Sequence, residues 1–352
     1  MEKKINLNFT LFKTKYGTVR MENLPFFLFH LTPIAAFFVD FKWSYVLLAV
    51  VMYYARMFFV TGFYHRYFSH RGFKARNRFV QFMMGFLGAT CLQQGPIWWA
   101  RHHRHHHKYS DTEMDLHSPL QLGFWQAHVG WIFNVDEQTF YDNKKVLKDL
   151  DYPEMNWLER YWIVPSFVVG GALLAIGGLP WLIWGLGIST VVLWHGTFTI
   201  NSLSHVFGSE RYVTGDTSKN NFILALVTLG EGWHNNHHAY QGGAKAGFFW
   251  YEIDITYYLL RVMQAFGLIH SLGAPPERVL ELGRLNDEKR KQAGSLVRRS
   301  TLKRLNAREV QILLEAVDRF IDRQIVKKLN YRELKRLISE WELNAGLTAQ
   351  PA

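Results

Sequence analysis

The chain has 352 residues, of which 49% are hydrophobic, 16% aromatic and 20% charged, with a formal net charge of +11 and sixteen histidines. A mean hydropathy of −0.09 suits a water-soluble protein only if the apolar residues are evenly spread, and from Trp162 to Ser209 no Asp, Glu, Lys or Arg occurs. That run excludes an ordinary soluble domain, and the single cysteine, Cys91, excludes an internal disulfide and a thiolate metal cage.

Met1–Glu22 is polar, mixed in charge and without a signal-peptide core. A spanning helix needs ~20 mostly apolar residues, and two spans are expected at 24–41 and 43–64, joined at Asp40–Trp43. Arg56 lies in the half of the second span nearest His65, from where its long side chain can reach the interface. Phe79–Trp99 is apolar but diluted by Gln81, Gln93, Gln94 and glycines, which suits a helix lying on or dipping into the membrane. The uncharged stretch divides at Gly177–Pro180 into spans at 161–177 and 181–201, with Trp162, Trp181, Trp184 and Trp194 suited to interface belts. Phe248–Ile269 is again apolar, interrupted by Glu252, Asp254 and Arg261. From Pro275 the character changes: Lys289–Arg304 is basic without an acid, and Val310–Leu343 shows helical spacing. This tail suits a solvated helix on the cap, or a contact with anionic lipid or an acidic carrier.

His65–Ser110 carries basic residues and no acid, whereas the hairpin turns carry one lysine. The positive-inside rule therefore places that segment, both termini and everything after Ile200 in the cytoplasm. The expected fold is all-α: a polytopic membrane protein with four transmembrane helices in two hairpins and a cytoplasmic helical cap formed by 65–160 and 202–274. Residues 1–274 form that membrane domain, and 275–352 form a basic amphipathic C-terminal helical tail.

The histidines concentrate in three clusters: His65-Arg-Tyr-Phe-Ser-His70, the run His102–His107 broken only by Arg104, and His234-Asn-Asn-His237-His238. His103, His106 and His107 repeat the spacing of the third cluster, and positions i, i+3 and i+4 share one helix face. Each triplet can aim three imidazoles at one point. Imidazole suits Zn, Cu, Fe or Ni, and eight such side chains exceed one octahedral ion, so two metals are expected. No carboxylate pattern recurs beside them, unlike the Glu-x-x-His sites of soluble di-iron bundles. An isolated histidine is ordinarily a satisfied core or surface residue, and His30, His117, His128, His195 and His270 are read that way.

Taken in order, HRYFSH, HRHHH and GEGWHNNHH resemble the histidine boxes of the membrane fatty acid desaturases, specifically the acyl-CoA Δ9 (stearoyl-CoA-like) branch. Flanking words agree: Trp99-Ala-Arg101, Ser110-Asp-Thr-Glu-Met-Asp-Leu-His117 and Asn201-Ser-Leu-Ser-His205. The resemblance runs from roughly Pro25 to Ile269. It implies a di-iron centre, two Fe ions cycling between Fe2+ and Fe3+, held by His65, His70, His103, His106, His107, His205, His234, His237 and His238, with Asn201 acting through a water. No catalytic residue separate from the metal centre is implied.

The implied reaction inserts a cis double bond, Δ9 in this branch, into a long-chain saturated acyl-CoA using O2 and two electrons. The alternatives are an acyl-lipid desaturase, a related di-iron acyl or alkane hydroxylase and, from another class, a non-catalytic membrane metal-binding protein. The implied partners are long-chain acyl-CoA or acyl-lipid, O2, membrane lipid and a separate electron donor of the ferredoxin, rubredoxin or cytochrome b5 type with its reductase. No HPGG-type haem word marks a fused cytochrome b5 domain, and nucleic acid is not among the partners. The implied location is the bacterial inner (cytoplasmic) membrane, with both termini and the active site cytoplasmic. Arg101 stands at a family headgroup position, followed by His102 where the family commonly has Asp. Trp99, Thr197, Phe198 and Trp233, with Trp98, are read as substrate-site residues along an acyl tunnel, with membrane-interface packing as the equal alternative for the aromatics; Phe198 stands where eukaryotic relatives commonly carry Trp.

Overall fold

The structure, a computed structural model, describes residues 10–14, 17–133 and 147–300. The expected helix at Val310–Leu343 lies outside the described residues. Among the described residues helix dominates, and strands are confined to two antiparallel pairs, Thr10–Thr14 with Gly17–Arg20 and Lys74–Ala75 with Ile269–His270.

Two helical runs are long and apolar enough to cross a membrane, Trp43–Ser69 of 27 residues and Val164–His205 of 42. The apolar stretch Leu24–Phe38 before them is shorter. It divides into Leu24–His30 and Thr32–Ala35 because Pro25 and Pro33 each stand at a helix start, where the missing N–H would have had no partner anyway. Trp43–Phe58 continues without interruption into the wider π-type turns Phe59–Ser69, which carry the first histidine box. Such turns recur at functional sites.

The 42-residue run is a hairpin. Gly178 takes φ 67, a left-handed conformation that glycine adopts without a Cβ penalty. On either side, Gly170 abuts Leu186 while Gly185 abuts Leu173, so the two arms lie antiparallel against each other. The reversal falls inside the Gly177–Pro180 turn read from the sequence. Gly178→Ala is expected to cost about 1–2 kcal/mol and to lower the thermal unfolding midpoint in detergent; an unchanged midpoint would show that the turn tolerates a side chain. Gly187 and Gly185 also approach Thr32 and Leu48, which sets this hairpin against both parts of the preceding apolar segment.

The outer faces of these runs are apolar and uncovered: Phe37, Phe38 and Trp43 are 87%, 83% and 77% exposed, and Leu47, Val51, Phe167, Val168, Ile176 and Val192 are exposed beside them. A continuous surface of this kind suits lipid. Arg56 departs from expectation. It does not reach the interface but is 1% exposed. Its guanidinium donates to Thr190 Oγ1 at 2.7 Å, the Thr90 carbonyl at 3.3 Å and Ser189 Oγ, and its Nε donates to the Met52 carbonyl at 3.2 Å. The Ser-Thr pair opening helix Ser189–Ser202 faces it, so its donors are satisfied internally and it gains nothing by reaching for water.

Phe79–Trp99 is not one helix. Arg78–Ala89 stops, Leu92 and Gln94 take φ of 54 and 68, and Pro96–Tyr109 starts after Gly95. The Glu159 carboxylate receives the N–H groups of Ile97 and Trp98 at 3.0 and 3.1 Å, capping the helix that carries the second box. Beneath it, Tyr64, Phe68, Met84, Met155 and Leu158 form a buried core that fixes the first box against that helix.

By packing, the described residues divide into two compact units, the second comprising Glu210–Gly215 and residues from Pro276. Within it the Tyr212 hydroxyl donates to the Val279 carbonyl at 2.9 Å and Arg211 pairs with Asp287 at 2.9 Å. Both hold the loop on helix Glu277–Ser300.

Candidate metal centre

Four segments deliver the histidines. His65 comes from the end of the Trp43–Ser69 run and His70 directly follows it, and His103, His106 and His107 come from one face of Pro96–Tyr109. His205 ends the Val164–His205 run, and His234, His237 and His238 come from the short helix His234–Ala239. They meet in two groups, each with its ligand nitrogens within 4.8 Å of one another: His65, His70, His103, His107 and His237 in one, and His106, His205, His234 and His238 in the other. The nine histidines brought together are those implied by the family resemblance. His106 is also grouped with Asp115 and His117.

The spacing of the nitrogens tests whether metal fits. Metal–imidazole bonds of about 2.1 Å at right angles put adjacent nitrogens about 3.0 Å apart. The Nε2 separations are 2.7 Å for His70–His103, 2.9 Å for His103–His107, 3.0 Å for His65–His237 and for His107–His237, and 3.1 Å for His205–His234. His238 Nε2 is buried without a hydrogen-bond partner. Convergent imidazole lone pairs at such spacing repel one another unless a cation lies between them, and the all-nitrogen donor set suits first-row transition ions.

Carboxylates stand behind the rings. Glu231 lies 2.8 Å from His65 Nδ1, Asp115 3.0 Å from His106 Nδ1, Asp111 3.1 Å from His205 Nδ1 and Asp216 2.7 Å from His238 Nδ1. Each holds the proton on Nδ1 and turns the Nε2 lone pair inward, the usual arrangement behind metal-binding histidines. Burial alone would raise these acids, but the histidine partners, joined at Asp111 by Ser118 and Thr217 hydroxyls, hold Asp111, Asp115 and Asp216 well below the usual carboxylate range. Burial, reinforced by neighbouring imidazoles, pushes His70, His103, His107, His234 and His237 far down and keeps them neutral. Burial also takes His238 down to about 4 despite Asp216. At His106 Asp115 and its acidic neighbours outweigh burial and raise the pKa.

Further acids complete the frame. Arg66, 1% exposed, bridges Glu231 at 2.9 Å and Asp254 at 2.9 Å. Glu252 accepts from Asn236 Nδ2 at 2.8 Å and Phe248 N at 2.7 Å. Asp254 and Glu252 therefore do not interrupt an apolar helix; they are buried anchors that position the third box. Glu231→Gln and Asp216→Asn are each expected to weaken metal binding roughly 10–100-fold in a competition titration against a chelator. Wild-type affinity in both variants would remove these acids from the centre.

A cavity of about 720 Å³ runs beside the first group. Trp98, Trp99, His102, Thr197, Phe198 and Asn201 line it, and His103 opens onto it from the metal side. His117, read from the sequence as an ordinary satisfied residue, also lines it, with its ring centroid 4.4 Å from that of His106. Gln93, which the sequence reading did not single out for the site, bridges its wall: its Nε2 donates to Thr197 Oγ1 at 3.0 Å, and Trp99 Nε1 donates to its Oε1 at 3.2 Å. Its only trace in the sequence is a pair of glutamines in an otherwise apolar block.

Two of the expected substrate-site residues do not line this cavity. Trp233 turns away from the cavity: its indole N–H donates to the Ile253 carbonyl at 2.8 Å and its ring packs with Ala225 and Ala246. Arg101 is not among the lining residues, and among the described residues no Lys or Arg lines the cavity.

Comparison with known proteins agrees with this geometry. A family model described as fatty acid desaturase matches residues 41–269. An acyl-CoA 5-desaturase of Anemone leveillei is 36% identical over 242 residues, covering 67% of this chain and 74% of the relative. An sn-2 palmitoyl-lipid 9-desaturase of Nostoc sp. (strain 36) is 37% identical over 269 residues, covering 74% of this chain and 92% of the relative. A Delta-9 acyl-lipid desaturase of Arabidopsis thaliana is 36% identical over 242 residues, covering 68% and 78%.

Proposed function

Since the chain belongs to the fatty acid desaturase family, we propose that it inserts a cis double bond at Δ9 of a long-chain saturated acyl substrate carried as a CoA thioester. O2 and two electrons from a separate one-electron carrier drive the reaction. Two iron ions, when bound, supply the oxidising power needed to remove hydrogen from an unactivated methylene. His65, His70, His103, His107 and His237 would hold one ion. His106, His205, His234 and His238 would hold the other, with Asn201 reaching it through a water. The observation that carries this reading is that a cavity of about 720 Å³ with tryptophan and phenylalanine in its walls adjoins these histidines, at His103 and Asn201.

The chain's own residues do three things. The carboxylates at Glu231, Asp111, Asp115 and Asp216 keep Nδ1 protonated, so the ligand nitrogens face inward. The aromatic part of the cavity wall rewards each buried methylene by about 0.8 kcal/mol, which draws an acyl chain in. The Gln93–Thr197–Trp99 bridge holds the cavity wall in place beside the centre. The uncovered apolar faces support four spans in two hairpins, 24–41 with 43–64 and 161–177 with 181–201. The basic His65–Ser110 segment supports a cytoplasmic cap, as in the inner membrane of a bacterium.

A second reading for the carrier, a glycerolipid in place of CoA, is favoured by the lack of Lys or Arg among the described residues lining the cavity. The test is expression in a host that makes no unsaturated fatty acids, with double bonds located by mass spectrometry in the acyl-CoA and lipid pools separately. A Δ9 alkene appearing first in acyl-CoA is the expected result. Appearance first in glycerolipid selects the second reading, and an alcohol in place of an alkene, or no product from iron-loaded protein with a competent donor, defeats desaturation.

A further inference from the structure

A second cavity, of about 370 Å³, borders the five-histidine group at His70 and His107. The larger cavity meets the same group at His103, so the two touch different members of it. Of the nine histidines of the centre, these three are the partly exposed ones, and the other six are buried. The walls of the two cavities differ in kind. The larger is rich in tryptophan and phenylalanine and, among the described residues, holds no Lys or Arg. The smaller has no Phe, Tyr or Trp among the described residues that line it; Arg104 and Lys108 lie there beside Ser69, Gln241 and Gly242. An acyl chain gains nothing from such a wall, and an anion does.

All three histidine boxes contribute to this opening. Arg104, His107 and Lys108 follow one another at i, i+3 and i+4 on helix Pro96–Tyr109, so the face that delivers a metal-binding ring also carries two cations. Ser69 and His70 close the first box, and Gln241 and Gly242 follow the short helix of the third. Arg104 is braced in place. It donates to the Ser69 and Phe68 carbonyls at 2.8 Å each and pairs with Asp149 at 2.8 Å. Arg71 pairs with the same acid at 2.7 Å. Lys108 is exposed, its ammonium 4.8 Å from the centroid of the Tyr109 ring. Three cations therefore line or brace the opening against one acid. Carboxylates stand behind His65, His106, His205 and His238, but among the described residues none pairs with His70 or His107, so an incoming acidic group meets no resident acid at those rings.

Desaturation needs electrons as well as substrate. Each encounter with a one-electron carrier oxidises the carrier by one electron. Two encounters, with two protons from solvent and the two hydrogens leaving the acyl chain, reduce one O2 to two waters. A protein carrier cannot enter either cavity, and an electron crosses without a bond being made. What the chain must offer is a surface where the carrier comes close to the ligand rings while the acyl chain occupies the larger cavity. The ring edges of His70 and His107 meet that need, because they lie at a second opening that the acyl chain leaves clear. Redox encounters use small interfaces, and complementary charge sets their speed and register. A basic rim selects an acidic face.

We propose that the opening over His70 and His107 is the docking site of the electron carrier, a small acidic one-electron protein whose carboxylates face Arg71, Arg104 and Lys108. The proposal rests on the desaturase reading of the centre. It divides the work between the two cavities: the aromatic one takes the acyl chain at His103, and the basic one receives the carrier at His70 and His107.

The test uses full-length iron-loaded protein in phosphatidylcholine nanodiscs with two kinds of electron source. One is an acidic carrier, chosen from a [2Fe–2S] ferredoxin, a rubredoxin and a cytochrome b5 as the one that drives wild type fastest. The other is reduced methyl viologen, a small cation that needs no docking surface. Lys108→Glu reverses an exposed charge. Gly242→Glu adds an acid at a position where nothing lies within 4 Å of an added Cβ, so neither change crowds the fold. Each should raise the carrier's Kd, read by surface plasmon resonance, roughly 5-fold at low salt, and the difference should close at high salt. Viologen-driven turnover and the KM for the acyl substrate should stay at wild-type values. A wild-type Kd in both variants overturns the proposal. So does an equal loss with viologen, which marks damage to the centre, or a raised acyl KM with the carrier's Kd unchanged, which assigns the cations to the phosphates of CoA. If viologen drives wild type and none of the three carriers does, carrier docking is overturned and desaturation stands. No alkene from either source defeats the desaturase reading, and the docking role falls with it.

Discussion

His237→Ala is expected to lose one metal ion per chain and to drop desaturation by more than the roughly 10–100-fold seen when only a partner behind a ligand is changed. The His237 ring is 3% exposed, and its Nε2 lies 3.0 Å from both His65 and His107. Removing it opens a gap between the first and second boxes that no neighbouring side chain fills. Membrane insertion should be unaffected, because the change lies inside the centre and leaves the apolar outer faces as they are. Metal analysis, turnover and membrane fractionation of one preparation together check this. A variant that keeps its full metal content and turnover would exclude His237 from the ligand set.

Arg66→Met should give the largest stability loss of any single change near the centre. The guanidinium neutralises Glu231 and Asp254, both buried, and also donates to the Ala244 carbonyl at 2.8 Å. Methionine fills much of the space but leaves two carboxylates without their cation, and breaking a buried pair in this way costs about 3–5 kcal/mol. Because Glu231 also receives the His65 Nδ1 proton, metal affinity should fall with stability. Arg66→Lys keeps the charge but not the fork that reaches both acids, so it should fall between the two. The readout is the thermal midpoint in detergent with and without added iron; a midpoint within a degree or so of wild type would show that the acids find other partners.

The metal-binding side chains were legible because helical spacing converts sequence distance into a shared face. His103, His106 and His107 lie on one helix, and the Asn-Asn pair inside the third box keeps His234, His237 and His238 on another. What stands behind those rings was less legible. Asp111, Asp115 and Glu231 sit in the words that flank the boxes, but Asp216 reaches His238 across 22 positions, a contact no local pattern announces. Gln93 looked like dilution of an apolar block, yet it bridges the cavity wall. Trp233 adjoins the third box in sequence, but its indole needed an acceptor and found one at Ile253, away from the cavity. The same logic misplaced Arg56. Length alone lets a lysine or arginine reach the interface, whereas a hydroxyl pair on a distant helix makes that unnecessary, and the pair becomes visible only once the helices are packed.

That arginine also constrains how the chain can be made. An arginine near the middle of an isolated spanning helix resists insertion by about 2.5–3.5 kcal/mol, and the Thr190 hydroxyl that relieves it is synthesised 134 residues later. The Trp43–Ser69 helix therefore starts with its arginine answered only by the Met52 carbonyl of its own helix, gains the Thr90 carbonyl next, and waits for Ser189 and Thr190 to emerge from the ribosome. Chains truncated before Ser189 should be cleared rapidly by membrane proteases, and replacing Arg56 with leucine should prolong their lifetime while leaving the full-length protein short of the bonds that join Trp43–Phe58 to Ser189–Ser202.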